Sequence, residues 1–150
     1  MAETLTEREM AAWQAFLHAH ERVTRTLDAE LRNEHRLGLS EYDVLVRLAR
    51  APGRSLRMTD LARRVLMSPS GLTRVVDRLA DDGLVERLRD SEDARVVLAK
   101  LTDSGRARVR RAARTHLRGI REHFTGQLSR AQLGNVASAL ETIAGPHEPH

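Results

Sequence analysis

The fold is decided by the stretch SPSGLTRVVDRL, which occupies residues 68–79. Serine at the N-cap followed by proline at the first helical position marks a helix start, because the serine oxygen accepts a free N–H and proline lacks one to satisfy. We expect this helix to stop before Gly83. Four apolar residues share the face that would anchor it to a domain: Leu72, Val75, Val76 and Leu79.

The neighbouring sequence predicts a winged helix-turn-helix. A shorter helix is expected over Met58–Val65, and only residues 66–68 separate it from the helix at Pro69, which is the spacing of a helix-turn-helix. Beyond it, residues 84–101 contain two strand-like stretches around the polar turn Asp90–Asp93, and the second stretch alternates as a strand does. This hairpin lies where the wing follows the second helix of a winged helix-turn-helix. We therefore expect this structure, called the reading head below, at about residues 55–102.

Helices are predicted on both sides of the head. Apolar residues at helical spacing run from Glu7 to Leu37, and a second helix is expected to be capped by Ser40. After the hairpin, Thr102 is predicted to cap a long helix, and Ser129 to open the last one through a capping box. The stripe of the long helix reads Val109, Ala113, Leu117, Ile120, Phe124 and Leu128.

Composition narrows the function classes. The chain has 150 residues, 41% hydrophobic and 31% charged, with no cysteine, which excludes disulfides and thiolate metal sites. No apolar run approaches the roughly 18–20 residues of a membrane span, and the N-terminal sequence does not look like a signal peptide. We therefore expect a cytoplasmic protein without a membrane partner.

Four motifs in this order resemble the MarR family of bacterial transcription regulators. They are residues 68–79, Asp82-Gly83-Leu84-Val85, the wing segment from Asp90 to Arg95, and Leu101-Thr102. The resemblance spans nearly the whole chain. One departure is Ala94, where many members of the family carry a second basic residue, and it puts the DNA affinity of the wing in doubt.

The resemblance implies a mostly α-helical single domain over residues 1–150, with a small β-hairpin wing. Residues 38–102 would form the winged helix-turn-helix that binds DNA, and residues 1–37 and 103–144 the helices of a homodimer. The apolar surface of these outer helices is larger than one small winged helix-turn-helix could bury, which also favours a dimer. The tail, residues 145–150, is predicted to be disordered.

Seven residues are predicted to bind double-stranded DNA: Ser68, Ser70, Thr73, Arg74, Arg78, Asp93 and Arg95. Ser70, Thr73 and Arg74 share one helix face, and an arginine there can grip guanine in the major groove. Arg78, one turn on, is expected to contact phosphate. Asp93 can hold Arg95 extended toward the narrow minor groove, a role that the resemblance also implies.

The resemblance further implies a transcription regulator acting on a pseudo-palindromic promoter operator, by default as a repressor. Many members of the family release DNA when a small aromatic molecule binds between the heads and the dimer helices. Trp13, Phe16 and Tyr42 are candidates to line such a pocket, with core packing as the alternative reading. No cofactor is expected.

The alternatives to a DNA-binding regulator of this kind are an enzyme, a metal-responsive regulator and a structural protein. The sequence from His20 to Thr24 begins like the zinc-protease HExxH motif but lacks the second histidine, and we find no other catalytic motif, so an enzyme is not expected. A zinc-responsive regulator of the same fold stays open. His116 and His123 are two helical turns apart, too far to bind one ion together without a bend, and His18, His20 and His35 could supply further ligands in a dimer. A non-regulatory architectural or partner-binding helical protein is the remaining alternative.

Overall fold

The computed structural model describes residues 4–146, which contain six α-helices and three strands. The helices are α1 (Glu7–His35), α2 (Leu39–Arg50), α3 (Met58–Arg64), α4 (Pro69–Asp81), α5 (Asp103–His123) and α6 (Arg130–Ala144). The strands are β1 (Ser55–Arg57), β2 (Val85–Arg89) and β3 (Val97–Leu101), and single 3-10 turns lie at Pro52–Arg54 and Thr125–Gln127. The predicted fold class, mostly α with a small β wing, is confirmed.

The chain divides into two compact units. The larger unit is Leu27–His116, and it holds the helix-turn-helix and the wing. The smaller unit combines the chain up to Thr26 with the chain from Leu117 onward. The larger unit therefore takes in the C-terminal part of α1 and most of α5, in addition to the predicted DNA-binding region.

The core of the larger unit is built from aliphatic side chains of every helix and strand around it. The largest side chains with almost no exposed surface are Leu31, Leu37, Leu45, Leu48, Leu61, Leu72, Leu79, Leu84, Leu101, Val44, Val76 and Val85. Leu31 of α1 and Ala112 of α5 are both fully buried in this cluster. The helix-turn-helix is thus held by contacts with α1 and α5 as well as by its own residues.

The wing is part of a three-stranded antiparallel sheet with the order β1-β3-β2. The predicted hairpin of β2 and β3 is confirmed, with Val85 opposite Leu101 and Arg89 opposite Val97. The third strand was not predicted, because three residues are too few to show an alternating pattern. Its Leu56 lies opposite Ala99 of β3, which ties the sheet to the start of α3.

The predicted cap of α2 is wrong by two residues. Gly38 occupies the N-cap, and its N–H donates to the Glu41 carboxylate at 3.0 Å. The next N–H, of Leu39, donates to Asp28 Oδ1 at 2.8 Å. Because carboxylates already accept these N–H groups, the helix begins one residue before Ser40, whose hydroxyl does not cap it.

The long helix after the wing is shorter than the apolar stripe predicted. It ends at His123, so Phe124 and Leu128 lie beyond it. Gly126 then turns back so closely that a Cβ there would lie 2.4 Å from the Arg121 carbonyl oxygen. The Gln127 side chain donates to the Glu122 carbonyl oxygen at 2.9 Å and satisfies part of the free helix end.

The last helix begins as predicted and ends before the tail. Ser129 and Gln132 form both bonds of the capping box. Gly145, with φ of 68°, ends α6. Of the predicted disordered tail, residues 147–150 lie outside the described residues. Within residues 4–146, no helix combines the length and apolar character that a membrane span requires.

Candidate nucleic-acid interface

Helix α4 begins where its sequence predicts. The Ser68 hydroxyl oxygen accepts a hydrogen bond from the Gly71 N–H at 3.1 Å, and Pro69 is the first helical residue. The Thr73 hydroxyl donates to the Pro69 carbonyl oxygen at 2.9 Å, which fixes its rotamer on the first turn. The N-terminal turn, which would enter a DNA groove first, is therefore rigid.

The two faces of α4 separate as the sequence predicts. Its four anchoring residues, Leu72, Val75, Val76 and Leu79, are buried. Ser70, Arg74 and Arg78 are exposed, and Thr73 is half-buried at the edge. Within residues 4–146, Arg74 has no carboxylate partner, so its guanidinium is available to an outside acceptor.

Arg78 differs from Arg74 because it has a protein partner. Its Nη1 lies 3.3 Å from Oε1 of Glu41, a buried residue of α2. The other carboxylate oxygen of Glu41 caps Gly38. Arg78 thus links α4 to the start of α2, a contact that the sequence analysis missed because these residues are far apart in the chain.

A second ion pair joins α4 to the wing. Arg87 of β2 lies 3.0 Å from Asp77, which follows Arg74 on the exposed side of α4. Helix and wing are therefore connected by charge as well as by the short turn at Gly83. Ion pairs of this exposure contribute little to folding.

The wing tip presents Arg95 on Asp93. Arg95 Nε donates to Oδ1 at 3.1 Å, Nη2 donates to Oδ2 at 3.2 Å, and the Arg95 N–H also donates to Oδ1 at 3.0 Å. These side-chain and backbone hydrogen bonds hold the pKa of Asp93 below its usual value. The Arg95 side chain is 91% exposed, and this paired geometry is the one expected from the sequence.

Local hydrogen bonds shape the rest of the wing loop, residues 90–96. Asp90 Oδ1 accepts from the Glu92 N–H at 2.8 Å, as in an Asx turn. Arg89 reaches across the loop, and its Nη1 donates to the Ala94 carbonyl oxygen at 2.8 Å. The loop is therefore held from both ends, and no pattern in the sequence marks Arg89 as part of the site.

The wing and α5 meet at Thr102. Its hydroxyl donates to the Gly83 carbonyl oxygen at 2.7 Å and accepts from the Gly105 N–H at 3.0 Å, which confirms the predicted cap. Gly105 lies so close to the turn after α4 that a Cβ would be 2.2 Å from the Leu84 carbonyl oxygen. This junction fixes the base of the wing.

The aromatic residues predicted to line a pocket fall in different units. Trp13 and Phe16 lie on α1 in the smaller unit, 6.1 Å apart between ring centroids, and both are exposed. Tyr42 is buried in the larger unit, with its ring centroid 4.8 Å from that of His116. Burial raises the pKa of Tyr42.

One of the candidate zinc ligands belongs to a hydrogen-bonded network. His35 Nε2 lies 2.8 Å from the hydroxyl oxygen of Thr115, which itself donates to Glu34 at 2.7 Å. The backbone carbonyl of His35 accepts from Arg108 at 3.0 Å. These bonds join the end of α1 to α5 within the larger unit.

Comparison with known proteins gives one consistent result. The model of the MarR family matches residues 37–97, the helix-turn-helix and most of the wing. AbsC of Streptomyces coelicolor, a MarR family transcriptional regulator, superposes with a TM-score of 0.88 and 31% identity, over 95% of this chain and 96% of that one. The chain belongs to the MarR family.

Further relatives agree with the MarR family assignment. Sco3205 of the same organism, a MarR family regulator solved in complex with DNA, has a TM-score of 0.91 and 30% identity, over 99% of this chain and 93% of that one. The repressor YetL of Bacillus subtilis is 38% identical over 74 residues, which are 48% of this chain and 44% of YetL. That match thus spans less than half of YetL. The family assignment makes the chain a transcription regulator and not an enzyme.

Proposed function

We propose that this MarR-family regulator binds double-stranded DNA in a sequence-specific manner, with α4 in the major groove and the wing tip in the adjacent minor groove. The observation that carries the proposal is that a capped helix and a hydrogen-bonded loop each present an exposed arginine, Arg74 and Arg95. Ser68 fixes the start of α4, Arg74 is exposed on it, and Asp93 orients Arg95. The sequence-predicted roles of Ser70, Thr73 and Arg78 belong to the same proposal.

The active form in this proposal is a homodimer on a pseudo-palindromic operator. The support is the exposed apolar surface of α1, α5 and α6, which is large for a soluble chain alone in water. The exposed apolar residues of these helices are Met10, Trp13, Phe16, Leu17, Leu117, Leu140 and Ile143. The helices over residues 1–37 and 103–144 would carry this interface and leave both heads free for DNA.

Repression at a promoter in the cytoplasm, by blocking polymerase, is the regulatory outcome we propose. YetL, whose name is that of a transcriptional repressor, shares 38% of the aligned residues. A small aromatic effector would release the DNA, with Trp13 and Phe16 as its candidate contacts. The exposed rings of Trp13 and Phe16 support this part of the proposal.

Selection of bound duplexes from a random pool tests the DNA-binding proposal. The selected sequences should share an inverted repeat whose half-sites are about one helical turn, or a multiple of one, apart. Binding to this duplex should weaken steeply with salt, with log K falling by about 0.9 per neutralised phosphate for each tenfold rise. An unenriched pool together with a flat salt response would refute the proposal and favour an architectural or partner-binding role.

A further inference from the structure

The wing tip contains a cation, Arg89, that comes from strand β2 and not from the wing loop. Arg89 is the last residue of β2, directly before the wing loop, and its guanidinium donates to the carbonyl oxygen of Ala94 at 2.8 Å. This hydrogen bond places the guanidinium of Arg89 beside residue 94, which precedes Arg95 in the chain. Residue 94 itself is alanine, so it brings no charge to the wing tip.

The charge of Arg89 is not neutralised within the part of the chain that the structure describes. Other arginines of the sheet do have carboxylate partners: Arg87 pairs with Asp77, and Arg57 lies 4.0 Å from Asp90. Arg89 has no such partner among residues 4–146, and its side chain is exposed. A guanidinium has five N–H donors, and the bond to Ala94 uses one of them. The other donors of this exposed guanidinium can therefore bind a phosphate acceptor.

We propose that Arg89 supplies the second cation of the wing, binding a phosphate of the DNA backbone beside Arg95 in place of residue 94. The proposal rests on the DNA-binding function proposed above. It assigns the two tip arginines different tasks: Arg95 enters the minor groove, and Arg89 positions the wing on the backbone that borders it. Although Arg89 belongs to strand β2, its hydrogen bond to the Ala94 carbonyl oxygen brings its guanidinium to the wing loop.

The test is the salt dependence of binding to the duplex that the wild-type protein selects from a random pool. In Arg89→Ala, the slope of log K against log salt should decrease by about 0.9 for each wing that loses its phosphate contact. In the double variant Arg89→Ala/Ala94→Arg the cation returns to the loop, and the wild-type slope should return with it. Arg89→Lys should keep the slope, because the charge remains.

Lys100→Ala is the matched control, since Lys100 is an exposed cation of the same sheet, opposite Glu86 and away from the tip. Its slope should equal that of the wild type. An unchanged slope in Arg89→Ala, or a loss of affinity that Ala94→Arg does not restore, would show that Arg89 only shapes the loop. The wild-type protein separates the two proposals: if it fails to bind, DNA binding itself is refuted, whereas steep binding that Arg89→Ala shares refutes the role of Arg89 alone.

Discussion

At the scale of single residues, Arg74 and Arg95 are held in different ways. Arg74 projects from a rigid helix turn with a free guanidinium. Arg95 stands on a loop, and its orientation depends on two side-chain bonds to Asp93. A free arginine on a helix can match the edge of one base, whereas an extended arginine on a wing responds to groove width and local potential. The two residues should therefore contribute differently to specificity.

Replacing each arginine with alanine separates these contributions. Arg74→Ala should remove the preference at one position of each half-site and cost about 1–3 kcal/mol there, because a bidentate base contact is lost. Arg95→Ala should weaken binding to all related operators by similar factors, most where an A·T-rich flank narrows the minor groove. Selection from a random pool with each variant measures both effects.

The mass in solution is the internal control for these variants. Neither arginine lies in the outer helices, so this mass should stay that of the wild type. An unchanged consensus with Arg74→Ala, together with an altered central position with Arg95→Ala, would reverse the assignment of helix and wing.

At the scale of secondary-structure elements, a few polar contacts join the parts of the head in addition to its apolar core. Arg78 joins α4 to α2 through Glu41, Arg87 joins β2 to α4 through Asp77, and Thr102 joins the turn at Gly83 to α5. These contacts join α4 to α2, to the wing and, through the turn at Gly83, to α5. A protein that binds both DNA grooves with α4 and the wing tip, as proposed above, needs these elements in a defined relative position.

The pair of Arg78 and Glu41 should affect stability more than its surface position suggests. In Arg78→Ala the buried Glu41 carboxylate loses a partner, so the free energy of unfolding should fall by about 1 kcal/mol. Arg74→Ala is the matched control, one turn earlier on the same helix, exposed and without a carboxylate partner among the described residues. Urea unfolding of both variants provides the measurement.

A double-mutant cycle completes this test. Adding Glu41→Gln to Arg78→Ala should recover part of the lost stability, because the uncompensated charge is gone. Equal stability of Arg78→Ala and Arg74→Ala would show that the ion pair contributes nothing and would leave Arg78 free for phosphate.

The junction between wing and α5 depends on the absence of a side chain at Gly105. In Gly105→Ala the new methyl group would lie 2.2 Å from the Leu84 carbonyl oxygen, a backbone atom that cannot move by itself. We expect a loss of about 1–3 kcal/mol in unfolding free energy, as for other overpacked sites. Thermal unfolding compared with Ser104→Ala, an exposed neighbour on the same turn, checks this expectation. Equal melting temperatures would contradict it.

At the scale of the whole molecule, the two units differ in how well they cover their apolar residues. The larger unit buries a continuous core. In the smaller one, the aromatic and aliphatic residues of α1 and α6 remain exposed, with Trp13 at 53% and Ile143 at 82% exposure. A second copy of the chain would cover these exposed residues of α1 and α6, because in a two-fold interface the same patch of each copy contacts the other.

We therefore expect a stable dimer in solution, with about twice the chain mass of 16.9 kDa. Charged substitutions in the exposed stripe, such as Leu17→Glu together with Ile143→Glu, should shift the mass toward that of a monomer, since charge in an apolar interface is strongly unfavourable. Light scattering over a range of concentrations measures the shift.

Leu66→Gln is the control for the loss of an exposed leucine, because Leu66 is 92% exposed in the turn of the reading head, outside the outer helices. It should leave the mass of the dimer unchanged. A wild-type mass of 16.9 kDa at all concentrations would contradict the dimer.

The sequence by itself determined the features that depend on neighbouring residues. Ser68, Thr102 and Ser129 cap helices within their own first turn, and the wing hairpin forms around a local polar turn. The bond between Asp93 and Arg95 also spans only two positions. Such contacts need nothing from the rest of the chain, so pattern and spacing were sufficient to predict them.

Only the tertiary structure decided which groups from distant parts of the chain meet. Asp28 reaches the start of α2, which therefore begins before Ser40. Glu41 forms an ion pair with Arg78, and strand β1 pairs with β3. These outcomes depend on packing of the whole core, which brings charges and strand edges together, and no local pattern records that geometry.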